Sequence, residues 1–164
     1  MSFALPKLYL ARHGDTAWTD SHQHTGRTDL PLNARGEEHA RQLGERLRTF
    51  TFARVFTSPL RRASKTCELA GFGGGAEVDP DLTEWDYGRF EGKLTTEILA
   101  ERPGWELYRD GCPGGDSPED VAARADCFSF PGGHRCVAAL ASPGQQSSSN
   151  DRVPKCQLNR FVRC

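Results

Sequence analysis

Arg12, His13 and Gly14 form the first group of residues in the chain that could do chemistry. They directly follow the apolar run Leu8–Ala11, which is typical of a short buried strand. The strand therefore delivers a permanent cation and an imidazole nucleophile to the end of a parallel sheet where ligands bind. The glycine lets the backbone turn sharply and approach a ligand closely.

A second cation, Arg62, follows another apolar segment, which ends near Thr57. Ser58 suits the N-cap of the next helix and Pro59 suits its first position. We therefore expect Arg62 in the first helical turn, where backbone donors and the helix dipole favour an anion. A guanidinium binds phosphate oxygens through two parallel hydrogen bonds. Arg61 fits a solvated helix surface better.

An acid, Glu84, lies among aromatic residues in the segment 82–92. Beside a bound phosphate, burial and the neighbouring anion would raise the pKa of its carboxyl group. A raised pKa suits Glu84 to protonate a leaving oxygen. On its local sequence alone, Glu84 is typical of a surface charge, so its role depends on the other two groups.

Strands and helices alternate along the chain around these groups. We expect strands over residues 7–11, 54–57 and 77–79, and helices over residues 34–50, 59–70 and 94–101. In the first long helix, Ala40, Leu43, Leu47 and Phe50 recur at helical spacing. The alternation indicates a three-layer α/β fold, with a mostly parallel sheet covered by helices on both faces.

Composition fits one soluble domain without nucleic-acid or membrane partners. The 164 residues carry 21 Lys and Arg against 22 Asp and Glu, which gives no bulk attraction to nucleic acid. No apolar run is long enough to cross a membrane and no signal segment opens the chain, so we expect a cytoplasmic protein. The cysteines lack zinc-like spacing, and His22 and His24 lack a third ligand, so we expect no metal. The oligomeric state stays open.

Together the segments resemble the histidine phosphatase superfamily, whose fold also includes the cofactor-dependent phosphoglycerate mutases. The resemblance runs from about residue 5 to residue 126. Its motifs are RHGDT at 12–16, TGRTDLPL at 25–32, SPLRRA at 58–63 and LTEWDYG at 82–88. EWDYG, the FEG that follows it and the later YRDGC look most like the sedoheptulose-1,7-bisphosphatase branch. The resemblance implies a phosphoglycerate mutase-like fold.

The resemblance also implies roles for particular residues. His13 would be the nucleophile that takes the phosphoryl group, and Glu84 would be the general acid. Phosphate and substrate would be bound by Arg12, Arg62, Thr19, Thr25, Gly26 and Tyr87. Thr19 stands where the family often has Asn. No cofactor or metal is implied, because phosphoryl transfer needs mainly positioning and charge neutralisation, which guanidinium groups supply.

The family pattern includes a second histidine at the end of a late strand, and this sequence does not supply it clearly. Residues 117–126 begin like the helix that should precede that strand, but little room follows them. His134 is a candidate for this histidine, although it falls two residues late; the alternative is a loop histidine. Without the late strand, one edge of the strand 7–11 would stay unpaired.

Composition changes at the same point. Residues 1–126 carry 16 Lys and Arg and 21 Asp and Glu, whereas residues 127–164 carry 5 and 1. Residues 145–150 are polar and of low complexity, which argues against a packed core there. We expect a histidine-phosphatase-like domain over 1–126, an atypical, poorly ordered tail over 127–164, and a C-terminally incomplete fold. An alternative exon, a frameshift or a truncation near Asp126 would each account for the change.

The expected function is phosphomonoester hydrolysis through a phosphohistidine, with a sugar bisphosphate or another small phosphorylated metabolite as substrate. One alternative is a catalytically impaired protein of the same fold that binds phosphate or regulates, because the second histidine is in doubt. A lesser alternative is a phosphoglycerate mutase, although the chain lacks room for the extra segment that mutases place over the site.

Overall fold

The computed structural model describes residues 8–127, 136–140 and 158–161 of the chain. Its strands are β1 (Leu8–Arg12), β2 (Arg54–Thr57), β3 (Ala76–Val78), β4 (Cys136–Leu140) and β5 (Leu158–Phe161). They form one sheet in the order β3-β2-β4-β1-β5. All neighbouring strands are parallel except β5, which is antiparallel to β1. The predicted α/β class with a mostly parallel sheet is confirmed.

Six helices accompany the sheet in the described part of the chain. They are α1 (Ala17–Ser21), α2 (Ala34–Leu47), α3 (Arg61–Leu69), α4 (Thr95–Glu101), α5 (Leu107–Asp110) and α6 (Pro118–Cys127). Short 3-10 turns lie at Gly73–Gly75, Pro80–Leu82 and Gly88–Phe90. Among these residues, none of the helices has the length and apolar character needed to span a bilayer. The cytoplasmic location stays a prediction.

Helix α2 forms because its apolar residues share one face and its first turn is capped. Asn33 accepts a hydrogen bond from the Gly36 amide at 2.8 Å, and Leu43 and Leu47 pack against Ala11 of β1. The predicted extension of this helix to residue 50 is wrong. Phe50 instead leaves the helix and packs its ring against Tyr9, with the ring centroids 5.3 Å apart.

Helix α3 begins two residues later than predicted. Leu60 is its N-cap residue, whereas Ser58, the predicted cap, is fully buried and accepts from the Leu60 amide at 3.3 Å. A side chain from a distant loop takes over the capping, because Asp29 Oδ1 accepts from the Arg61 amide at 2.7 Å. Arg62 still lies in the first turn, and Arg61 is exposed, as predicted.

A second apolar cluster supports the segment that carries Glu84. It consists of seven buried residues with Val121 of α6 packed against them. They are Trp85, Tyr87, Phe90, Ile98, Trp105, Leu107 and Cys112. Trp85 and Trp105 are therefore packing residues, and their indole N–H groups donate to the carbonyl oxygens of Asp116 and Gly111.

Strand β1 has a partner on each side, so the condition for an unpaired edge, the lack of a late strand, is not met. Its register pairs Leu10 with Ala138 of β4 and with Asn159 of β5. The little room that follows residues 117–126 is enough for a strand, since α6 ends at Cys127 and β4 begins nine residues later. The domain division at residue 126 stays a prediction, and His134 lies outside the described residues.

Candidate active site

His13 follows the last residue of β1 and is buried, with 7% of its surface exposed. Its Nδ1 lies 2.7 Å from the Gly14 carbonyl oxygen. Because a carbonyl only accepts, Nδ1 carries the hydrogen and the lone pair is on Nε2. Burial, chiefly, lowers the pKa of His13 to about 3, and the cations Arg62 and Arg12 lower it further. At neutral pH the imidazole is therefore uncharged and able to act as a nucleophile.

Gly14 holds this turn in place because its backbone lies against α2. A Cβ atom added to Gly14 would lie 2.2 Å from the Gly36 carbonyl oxygen, so no other residue fits without a shift of the backbone. The Gly14 amide donates to Thr66 Oγ1 at 3.0 Å, and this hydroxyl donates to the Arg62 carbonyl at 2.7 Å. The end of β1 is thereby fixed to helix α3.

Arg62 is fully buried and reaches His13 directly. Its Nε donates to His13 Nε2 at 3.2 Å, and its two terminal nitrogens donate to the carbonyl oxygens of Thr28 at 3.0 Å and Gly26 at 2.8 Å. Burial lowers the pKa of Arg62, opposed chiefly by the charge of Glu84 and then by Glu91 and Asp29. The guanidinium is held by neutral carbonyls, so it keeps its positive charge available for an anion.

Arg12 is the second cation near His13. It is half-buried at the last position of β1. Its charge lowers the pKa values of both His13 and Glu84, so the three groups share one electrostatic environment. Two arginines therefore give this end of the sheet the positive charge that a phosphate dianion requires.

Glu84 lies in the same environment, between the second apolar cluster and the arginines. It is buried, and one carboxylate oxygen accepts from the Trp85 amide at 2.9 Å. Burial raises the pKa of Glu84 to about 7, although the Trp85 amide and then the charges of Arg62 and Arg12 oppose the rise. A carboxyl group with this pKa can both donate and accept a proton near neutrality.

The other predicted binding residues differ in how far their polar groups are engaged within the protein. The Thr19 hydroxyl accepts from the Thr16 amide at 3.2 Å and closes the capping box of α1. The Gly26 amide donates to Glu91 and its carbonyl accepts from Arg62. Thr25 donates only a long hydrogen bond of 3.3 Å to the Gln23 carbonyl. Tyr87 is buried, and its ring packs against the His24 ring with the centroids 4.7 Å apart and the planes tilted by 37°.

The structure thus brings His13, Arg12, Arg62 and Glu84 together. It adds three residues to which the sequence analysis gave no role: Thr66, Thr28 and Glu91. The Thr66 hydroxyl accepts from the Gly14 amide, and the Thr28 carbonyl accepts from Arg62. The sequence carries no signal for contacts of this kind. Glu91 does have a signal, since it lies in the FEG motif that carried part of the resemblance. The described residues contain no cluster of three or more His, Cys, Asp or Glu side chains that could hold a metal ion.

Comparison with known proteins gives the same picture. Residues 8–128 match the model of the histidine phosphatase superfamily (branch 1). The chain is 37% identical over 143 residues to sedoheptulose 1,7-bisphosphatase of Saccharomyces cerevisiae, covering 73% of this chain and 52% of that protein. It is 40% identical over 122 residues to an acid phosphatase of Mycobacterium tuberculosis, covering 73% of this chain and 60% of that protein. The chain therefore spans between half and two thirds of the length of these relatives.

A solved structure agrees with the sequence matches. The crystal structure of phosphoglycerate mutase from Thermus thermophilus superposes with a TM-score of 0.67 at 33% identity, covering 82% of this chain and 77% of that chain. The mutase-like fold expected from the sequence is thereby confirmed. The chain belongs to the histidine phosphatase superfamily.

Proposed function

We propose that this protein hydrolyses phosphomonoesters through a phosphohistidine on His13. The observation that carries the proposal is that an imidazole without a proton on Nε2 and a carboxyl group that keeps its proton up to about pH 7 share the surroundings of one buried guanidinium. His13 is neutral with a pKa of about 3, Glu84 has a pKa of about 7, and Arg62 lies 3.2 Å from the nucleophilic nitrogen. Groups whose environments move their pKa values apart are suited to nucleophile and acid roles.

In the first step, the lone pair of His13 Nε2 attacks phosphorus and the bond from phosphorus to the ester oxygen breaks. The proton of Glu84 passes to that oxygen, which leaves as an alcohol. The phosphorylated imidazole carries a positive charge, which the Gly14 carbonyl stabilises by accepting from Nδ1. Arg62 and Arg12 neutralise the phosphoryl oxygens, which is the main requirement of this reaction.

In the second step, water attacks the phosphohistidine. The Glu84 carboxylate takes a proton from the water, the phosphorus–nitrogen bond breaks, and inorganic phosphate leaves. Neutral His13 and protonated Glu84 are restored, so the cycle needs no cofactor or metal.

A sugar phosphate, a sugar bisphosphate or another small phosphorylated metabolite is the substrate class we propose. The name of the yeast relative, a bisphosphatase, supports this class. Thr25 precedes Gly26, whose carbonyl accepts from Arg62, and Tyr87, whose pKa burial raises, is near enough to Glu84 for the charge of Glu84 to raise that pKa further. Thr25 and Tyr87 are therefore the side chains that we assign to substrate contact. Thr19 and Gly26 would act mainly by holding the loops around the phosphate.

Phosphate release from a panel of sugar phosphates and bisphosphates tests the proposal. We expect turnover in the wild-type protein and none in His13→Ala. His22→Asn is the matched control, because His22 is an exposed loop histidine with a φ of 61° that asparagine tolerates. Phosphate binding without turnover would instead establish the catalytically impaired alternative. Transfer of phosphate to a second sugar acid or alcohol would establish the mutase alternative.

A further inference from the structure

Glu91 uses its carboxylate to hold backbone rather than an arginine. It follows the 3-10 turn Gly88–Phe90 and is half-buried. One oxygen accepts from the amides of Gly26 at 2.9 Å and Thr28 at 3.0 Å, and the other accepts from Gly26 at 3.1 Å. Hydrogen bonds to an ionised acceptor are the strong ones, so this contact fixes residues 26–28.

The same two residues bind Arg62 through their other backbone group. The carbonyl oxygens of Gly26 and Thr28 accept from the terminal nitrogens of Arg62, at 2.8 and 3.0 Å. Residues 26–28 therefore lie between the carboxylate and the guanidinium, with their N–H groups directed to one and their C=O groups to the other. Glu91 therefore restrains Arg62 through the backbone of these two residues.

The surrounding backbone leaves this connection little freedom. The Gly92 amide donates to the His24 carbonyl and the His24 amide donates to the Lys93 carbonyl, both at 2.9 Å, so the two segments pair on one side of Glu91. A Cβ atom added to Gly26 would lie 2.1 Å from the Trp85 carbonyl oxygen. The loop is thus held against the segment that carries Glu84 as well.

We propose that Glu91 is a positioning residue that holds the Arg62 guanidinium against His13 through residues 26–28. The inference rests on the proposed phosphohistidine function. A direct carboxylate–guanidinium pair would place a full negative charge against the cation that must attract the phosphate. The carbonyl oxygens of Gly26 and Thr28 fix the direction of the guanidinium as neutral acceptors, and the charge of Glu91 stays one backbone layer away.

Glu91 also affects the acid of the reaction through its charge. Glu84 is surrounded by the cations Arg62 and Arg12 and by the Trp85 amide, which lower its pKa, and by Glu91, which raises it. The hydroxyls of Tyr87 and Tyr108 are close enough for Glu84 to raise their pKa values. Removing the negative charge of Glu91 should therefore lower the pH at which Glu84 loses its proton.

The test compares Glu91→Gln with Glu97→Gln. Glu97 is a matched control, since its exposed carboxylate also accepts from a backbone amide, that of Leu94 at 2.7 Å, but not in the loop that holds Arg62. We expect Glu91→Gln to weaken inorganic vanadate binding and to lower kcat/KM by about 10- to 100-fold, the usual cost of misplacing a catalytic group by a fraction of an ångström to 1 Å. The alkaline limb of the Glu91→Gln pH profile should move to lower pH. Glu97→Gln should leave vanadate binding, kcat/KM and the pH profile unchanged.

A double-mutant cycle separates positioning from general support of the fold. In the Arg62→Ala background, Glu91→Gln should weaken vanadate binding by less than about threefold, because the group that it positions is gone. Equal losses in both backgrounds would overturn the inference. Should Glu91→Gln not fold, Glu91→Asp keeps the charge but shortens the reach, and vanadate binding equal to wild type would overturn the inference too.

The two proposals fail in different ways. If wild-type protein binds vanadate in a Glu91-dependent manner but releases no phosphate from any substrate, the proposed hydrolysis is wrong and the positioning role stands. If wild-type protein is active and Glu91→Gln matches Glu97→Gln in vanadate affinity and pH profile, the positioning role alone is wrong.

Discussion

The protonation state of Glu84 sets the pH dependence of the proposed reaction. Burial raises the pKa of its carboxyl group to about 7. Relative to an ordinary glutamate, this corresponds to about 3 kcal/mol in favour of the acid form. The proton is therefore present below pH 7 and is lost as the pH rises through 7. His13, with a pKa of about 3, stays neutral over the same range and adds no limb of its own.

These values predict an alkaline limb with a definite size. The protonated fraction of Glu84 falls from about nine tenths at pH 6 to about one tenth at pH 8, which alone would lower kcat/KM about tenfold. The second ionisation of the substrate phosphate, at about pH 6, should add an acidic limb that lowers kcat/KM at pH 6 about twofold. The net fall in kcat/KM from pH 6 to pH 8 should therefore be about fivefold.

Initial rates from pH 5 to pH 9 provide the assay, with wild type, Glu84→Gln and Glu45→Gln. Glu45 is an exposed carboxylate on α2, so Glu45→Gln is the control and should keep the wild-type profile. Glu84→Gln should lose the alkaline limb together with about 10²- to 10⁴-fold in rate. The loss should be smaller for an aryl phosphate, whose leaving oxygen needs little protonation. A wild-type rate that stays level through pH 8, or an unchanged limb in Glu84→Gln, would refute the assignment of the acid.

Two further predictions concern the arginines and the histidine. Replacing Arg12 or Arg62 by Ala should weaken phosphate binding by about tenfold or more, since a charge-assisted hydrogen bond contributes about 1.5–3 kcal/mol. Arg61→Ala should have little effect on phosphate binding. Calorimetric titration measures these affinities, and equal losses in Arg61→Ala and Arg62→Ala would contradict the prediction. The lowered pKa of His13 means that its imidazole binds fewer protons in the folded protein than in the unfolded chain, so its contribution to stability falls as the pH drops below about 6.5 towards 3. Between pH 7 and pH 4 this contribution falls by about 3 kcal/mol, whereas the raised pKa of Glu84 acts in the opposite direction. Urea unfolding at pH 7 and pH 4 should therefore show a change in stability that is about 3 kcal/mol more favourable in His13→Asn than in wild type; the same change in both proteins would exclude this account.

Two of the side chains that we propose for catalysis, His13 and Arg62, could be singled out in the sequence because each follows a strong local pattern. His13 comes directly after an apolar strand, and Arg62 begins a helix after another. Their family-like spacing then gave Glu84 a role that its own surroundings in the sequence did not. The core face of α2 was also predictable from the spacing of Ala40, Leu43 and Leu47.

The supports of these side chains could not be predicted in the same way. Arg62 is held by the carbonyl oxygens of residues 26 and 28, and every residue type has such a group. The cap of α3 comes from Asp29, which is 32 positions away from Arg61. Strands β4 and β5 lie within the segment 127–164, for which we expected an atypical tail. Their pairing with β1 was not predictable because it depends on backbone groups and not on residue type.

Detection of a phosphoryl group on His13 tests the central claim most directly. Wild-type protein mixed with radiolabelled substrate and quenched within milliseconds should carry a label that survives alkali and is lost in acid. The label should be absent from His13→Ala and present in His22→Asn. Turnover without any labelled protein, or a label that remains in His13→Ala, would contradict the proposed mechanism.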